Sequence, residues 1–198
     1  MTKTIVLLFY AASMLFSGCS AEQKDAALIS PPPPEQIKTL TQGDREKIAA
    51  FEKELFDIER ISKKAMTLVG NEVKQMITGE KNSVDAAALV ATAKGEAMKS
   101  LDNLVTKSVP AKLPPWFSQN LLDAKKNFSA AYTAKVESYA AIKRFIDEKS
   151  PTALVEYRQK AVLADNQFQD ARSRLAAVLK ASALPAKKAD KSGKTVGK

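Results

Sequence analysis

A chain of 198 residues with 31 Lys and Arg against 22 Asp and Glu carries a formal net charge of +9, and it contains one cysteine and no histidine. That length suffices for one domain with a substantial core rather than two. The missing histidine excludes Ser-His-Asp and Cys-His nucleophilic sites, histidine-ligated zinc or haem and the carboxylate-histidine pairs of di-iron bundles, and a single cysteine excludes an internal disulfide.

In chain order, Lys3 precedes an apolar run from Ile5 to Phe16 that is interrupted only by Ser13. The run is too short to cross a hydrocarbon core of about 30 Å, which takes roughly 20 apolar residues, so it reads as the h-region of an export signal. It ends in Leu15-Phe16-Ser17-Gly18-Cys19, which resembles the lipobox of bacterial lipoproteins, with Phe16 where that family usually has leucine. The resemblance implies residues 1–18 as signal peptide, cleavage before Cys19, and a diacylglyceryl group with palmitate-type chains on the mature N-terminus. Each buried methylene contributes about 0.8 kcal/mol, so such an anchor holds a protein at a membrane without a transmembrane helix. By the sorting rule of Gram-negative envelopes, Ser20 after the cysteine implies the outer membrane, facing the periplasm.

Residues 19–43 are polar and irregular, with Pro31 to Pro34 consecutive, and read as a lipidated tether. At about 3.1 Å per residue in polyproline II geometry, that tether reaches roughly 75 Å. The other end, residues 186–198, is lysine-rich and almost free of apolar side chains, which predicts a disordered basic tail.

Between these ends, residues 44–185 carry helical apolar spacing throughout. The first helix is expected from about Asp44 to Thr78, burying Ile48, Phe51, Leu55, Ile58, Ala65, Val69, Val73 and Met76. Gly79 to Asn82 breaks it. A second helix from Asn82 or Ser83 to about Ser108 is expected to turn Val84, Ala88, Ala91, Met98, Leu101 and Val105 inward, and Pro110 ends it. The third, Pro115 to Lys149, carries Phe117, Leu121, Ala124, Phe128, Tyr132, Val136, Tyr139, Ile142 and Ile146 on one stripe. Ser150-Pro151 restarts the chain as a fourth helix to about Ala183, with serine as cap and proline at the first helical position. Its stripe of Leu154, Tyr157, Ala161, Ala164, Phe168, Ala171, Leu175 and Val178 has coiled-coil spacing. Helices of this length with short connections predict an all-α fold, an elongated antiparallel up-down-up-down four-helix bundle.

Glu59 with Lys63, Glu156 with Lys160 and Asp170 with Arg174 stand four apart and are expected to pair along solvent faces. Gly70 and Gly95 interrupt helical stretches at similar expected heights, which is explained by close backbone contact, by a tolerated defect, or by a local kink or groove that admits a ligand between the helices. Glu52, Glu54, Asp57 and Glu59 are spread around their helix without ligand spacing, so neither a metal site nor a cofactor is predicted. Two features suit a partner. Trp116 and Phe117 are adjacent at the expected tip of the bundle, and Lys187, Lys188, Lys191 and Lys194 concentrate charge in the tail.

The reading that follows is a membrane-anchored envelope lipoprotein acting as a non-enzymatic helical adaptor, scaffold or accessory subunit. Its expected partners are the membrane through the lipid and an envelope protein or anionic envelope polymer. Nucleic acid is not expected, because the basic tail lacks interleaved aromatics. The alternative is a bundle holding an apolar ligand or chaperone client in an internal cavity. Replacing Cys19→Ala in the native host is expected to abolish labelling by a fatty-acid analogue, and persistent labelling of that variant contradicts the lipid assignment.

Overall fold

The computed structural model describes residues 29–80 and 83–184. Among them the chain forms five helices, which we number α1 (Pro34–Lys38), α2 (Gln42–Ile77), α3 (Ser83–Thr106), α4 (Pro115–Glu148) and α5 (Pro151–Ala183). The last four run up, down, up and down as an antiparallel bundle, each packed on its neighbour in sequence, with α2 and α5 meeting along a narrower fourth seam.

Each boundary has a local cause. Thr41 begins α2 through a reciprocal capping box, its hydroxyl accepting from the Asp44 amide while the Asp44 carboxylate accepts from the Thr41 amide. At the far end Gly79 takes a left-handed φ of 79°, which glycine adopts without steric cost. The exposed last turn of α3 is held by the Lys125 ammonium, which donates to the Val105 and Lys107 carbonyls from across the α3–α4 seam. Lys149, in left-handed conformation at φ 57°, ends α4, and Pro151 opens α5 two residues later. Ser150 does occupy the cap position of α5, but its hydroxyl bonds Thr152 at 2.8 Å and satisfies no helix amide.

The inward stripes of α2, α4 and α5 are the ones their spacing predicts. Ile48, Phe51, Leu55, Ile58, Val69 and Val73 are buried on α2, and Phe117, Leu121, Phe128, Tyr132, Tyr139 and Ile142 on α4. On α5, Phe168, Ala171, Leu175 and Val178 are buried while Leu154 and Tyr157 are half-buried. Helix α3 is different. Its buried residues are Ala86, Val90, Ala93, Ala97, Ser100 and Leu104, whereas Val84, Met98 and Val105 are 74, 48 and 68% exposed. The expected inward face therefore points outward, because positions 84 and 86 differ by about 200° around a helix of 3.6 residues per turn. The buried face combines the small Ala86, Ala93, Ala97 and Ser100 with Val90 and Leu104, against a core that Phe128 and Tyr132 fill from α4.

At mid-height a polar knot crosses the bundle. The Tyr132 ring packs edge-on to Phe168 of α5 at 5.0 Å, and its hydroxyl shares a 2.8 Å hydrogen bond with Ser62 of α2. Ser100 of α3, also buried, lies close enough to affect it. Burial pushes the Tyr132 phenol above its ordinary pKa, and the two serines oppose that shift. This one side chain of α4 thus faces α2, α3 and α5. Nearby, Arg172 of α5 pairs with the buried Glu59 of α2 through both carboxylate oxygens and lies 5.6 Å over the Phe168 ring.

That pair corrects a sequence expectation, and two others change in the same way. Glu59 pairs across the α2–α5 seam, Glu156 bonds Arg144 at 2.6 Å, Lys160 bonds Glu137 at 2.6 Å, and Arg174 reaches Asp123 at 3.8 Å. In each of the three expected pairs at least one charge bridges two helices instead. The N-terminal boundary also moves. Residues 34–38 are helical and Leu40 is 6% exposed within the core cluster, so the packed unit begins inside the segment expected to be tether.

The Tyr132→Phe change removes the hydroxyl bonded to Ser62 and is expected to cost about 1 kcal/mol, the usual net worth of a buried hydrogen bond. Phe168→Asp places an unpaired charge against Tyr132 and Phe128 and is expected to cost several kcal/mol. Urea denaturation of both variants measures the two values, and equal losses contradict the arrangement.

Candidate interaction surface

The two aromatic residues singled out in the sequence separate in the structure. Phe117 is fully buried and joins Leu113 and Leu40 in closing the lower end of the core, so it offers no surface to a partner. Trp116 is half-buried and packs edge-on to Phe117 at 5.0 Å. Its indole N–H donates to the Ser30 carbonyl at 2.9 Å, and its backbone amide donates to the Gln36 side chain at 2.8 Å. Tryptophan buries its ring and seeks a partner for its N–H. Here the chain's own N-terminal segment supplies that partner, and α1 is held on the pole by the same contacts. Cys19, Lys187, Lys188, Lys191 and Lys194 lie outside the described residues.

The acidic residues of α2 are dispersed among separate cations. Glu54 meets Lys107 at 3.2 Å, Asp57 meets Lys53 at 2.6 Å and Arg60 at 3.4 Å, and Glu59 meets Arg172. Glu52 stands apart from these pairs, and partial burial raises its carboxyl pKa. Among the described residues no group of three or more Cys, Asp or Glu side chains is placed to hold a metal ion, and no helix is long and apolar enough to cross a membrane.

The glycines do not mark a close helix approach. A Cβ added at Gly70 or Gly95 meets nothing within 4 Å, so close backbone contact does not account for them, and the open space around both suits a tolerated defect. Gly95 instead belongs to the outward face of α3. Val84, Ala88, Ala91, Gly95, Met98, Asp102 and Val105 recur at alternating spacings of four and three, the spacing that aligns residues on one helix face. One charged residue interrupts that row. Helix α3 therefore has two opposed apolar stripes, a small one packed on the bundle and a bulkier one facing solvent.

Leaving Val84, Met98 and Val105 exposed forgoes roughly 1.5–3 kcal/mol per side chain relative to full burial. Val155 and Val162 on α5 and Ile61 and Leu68 on α2 are exposed as well, each pair seven residues apart, and the α3 row differs in its length, running over three heptads from Val84 to Val105. The sequence carried the signal for this surface in plain form, since the same residues were read as core. What it lacked was the packing against the side chains opposite.

Two recesses lie at the pole where Trp116 sits. One, of about 670 Å³, opens between α2 and α5 beside Arg45, Ala49, Leu179 and Ser182. The other, of about 250 Å³, is polar and is framed by Ser30, Trp116, Asn120, Asp123 and Arg174. Both are open surface grooves.

Compared with family models, curated proteins and solved structures, the chain matches none.

With one tryptophan in the chain, emission reports the contact with Ser30 directly. Starting the chain at Pro34 is expected to red-shift the emission and to increase quenching by acrylamide while leaving helicity unchanged. An unaltered spectrum contradicts the docking of residues 29–33 on Trp116.

Proposed function

We propose that the protein is a lipid-anchored adaptor of the bacterial envelope, without enzymatic activity, that captures an amphipathic helix of another envelope protein on the outward face of α3. The observation that carries this reading is the exposed repeat of Val84, Ala91, Met98 and Val105 on a bundle whose core is filled from the other side of the same helix. A helix laid against that row buries valine and methionine side chains, and Gly95 at its middle lets the two backbones approach. Flanking Asp85, Lys94 and Lys99 give the rim both signs of charge, which favours one register over another. The export signal and Cys19 supply the address, as the resemblance to bacterial lipoproteins implies, and Ser20 favours the outer membrane.

Photo-crosslinkers placed singly along α3 in the native host test this reading. Crosslinks to one protein are expected at positions 84, 91, 98 and 105 and not at 92, 99 and 106. Met98→Glu is expected to weaken the capture about tenfold or more, the effect of losing roughly 1.5 kcal/mol of apolar burial and adding a desolvated charge, without altering the fold. An adduct with the mass of two copies identifies self-association in place of an adaptor. Crosslinks without the seven-residue period contradict the α3 surface altogether.

A further inference from the structure

Both ends of the described chain lie at one pole of the bundle. Ser30 rests on Trp116 at the start of α4, and the Leu184 carbonyl just beyond α5 accepts from Arg45 near the start of α2 at 3.2 Å. Antiparallel helices of these lengths place the two turns, at Gly79 and Lys149, at the opposite pole, about 50 Å away at 1.5 Å per residue. The two poles differ in charge. Around the first, residues 29–47, 112–119 and 180–184 hold five basic side chains, Lys38, Arg45, Lys47, Lys112 and Lys180, against three acidic ones. Of those three, Asp44 is engaged in the capping box and paired with Lys47. Around the second, the described residues 72–80, 83–85 and 143–156 hold six acidic side chains against four basic ones.

The chain beyond Leu184 leaves from the basic pole and adds five lysines against Asp190. Cys19 is joined to Ser30 by eleven peptide links, at most about 40 Å of extended chain. If Cys19 is lipidated, as proposed above, the pole within that reach of the bilayer is the basic one, and the acidic pole stands roughly 50 Å farther out.

We propose that this basic pole rests against the anionic lipid headgroups of the leaflet that holds the lipid, with Lys38, Lys112 and Lys180 as the contacts. All three named lysines are exposed. A basic residue near an anionic leaflet raises partitioning about fivefold, so a few of them turn a long tether into a seated domain. Seating the pole sets the bundle axis near the membrane normal and turns the outward face of α3 sideways, toward neighbours anchored in the same membrane.

The test uses the full-length lipidated protein on vesicles of neutral phosphatidylcholine, or of the same lipid with phosphatidylglycerol, each carrying a dansyl-labelled headgroup. Flotation reads the anchor, and energy transfer from Trp116 to dansyl reads the seating of the pole. Flotation is expected with both vesicle types, and transfer is expected to be higher by about twofold or more on anionic vesicles, falling to the neutral level at roughly 1 M salt. Lys38→Glu with Lys112→Glu and Lys180→Glu is expected to reduce that excess while circular dichroism stays unchanged. Equal transfer on the two vesicle types, with flotation intact, overturns the seated pole and leaves the lipid anchor standing. Flotation with anionic vesicles alone overturns the anchor and supports the pole. Flotation with neither overturns both.

Discussion

The packing of Tyr132 constrains the rest of this bundle. A large ring from α4 is held edge-on by Phe168 of α5, and its hydroxyl must find partners inside the core because an unpaired buried hydroxyl costs about 1–3 kcal/mol. Ser62 of α2 supplies one at 2.8 Å, and Ser100 of α3 is buried close by. With Ser100 facing the core, α3 also turns its row of alanines inward. The outward direction of Val84, Met98 and Val105 follows from this same rotation. One polar contact in the core and one apolar stripe on the surface are therefore two ends of the same geometric constraint.

The seams of the bundle are held by different means. Four ion pairs cross between α4 and α5, of which Lys135 with Asp165, Arg144 with Glu156 and Lys160 with Glu137 lie between 2.6 and 2.8 Å. Such exposed pairs each contribute less than about 1 kcal/mol, so they fix register more than they stabilise. The α2–α5 seam relies on Arg172 with the buried Glu59, where removing one partner would strand a charge in the interior. At the basic pole, Leu40, Leu113 and Phe117 close the core, and α1 with Ser30 lies over Trp116. This arrangement ties the N-terminal segment to the bundle and so fixes which pole the tether leaves from.

Much of the fold was legible because three of the four long helices carry one apolar stripe each. For α4, a stripe from Phe117 to Ile146 with large residues at nearly every position admits one inward face. Helix boundaries were legible where backbone chemistry dictates them, at Gly79, at Pro115 and at Ser150-Pro151. Helix α3 was not legible in orientation, because it carries two stripes of equal spacing and hydrophobicity favours the bulkier one. What decides between them is packing against α4, which is a tertiary property. Charge pairing failed for a related reason, since Glu59, Lys160 and Arg174 have both a neighbour one turn away and a closer partner on another helix. The role of residues 29–40 was hidden by the proline run, whose polyproline character says nothing about Leu40 and Gln36 docking on α4. As for the candidate surface, its residues were present in the sequence reading but assigned to the wrong side.

The orientation of α3 is the claim on which the account depends, and thiol accessibility measures it most directly. With Cys19→Ser as background, single cysteines are introduced by Ala97→Cys and Met98→Cys, adjacent positions about 100° apart around the helix, 0% and 48% exposed. The account predicts that the thiol at 98 reacts with a maleimide nearly as fast as in the unfolded chain, while the thiol at 97 is protected until the bundle unfolds. Protection at 98 with free reaction at 97 would contradict it, returning the valine and methionine row to the core and removing the proposed docking face.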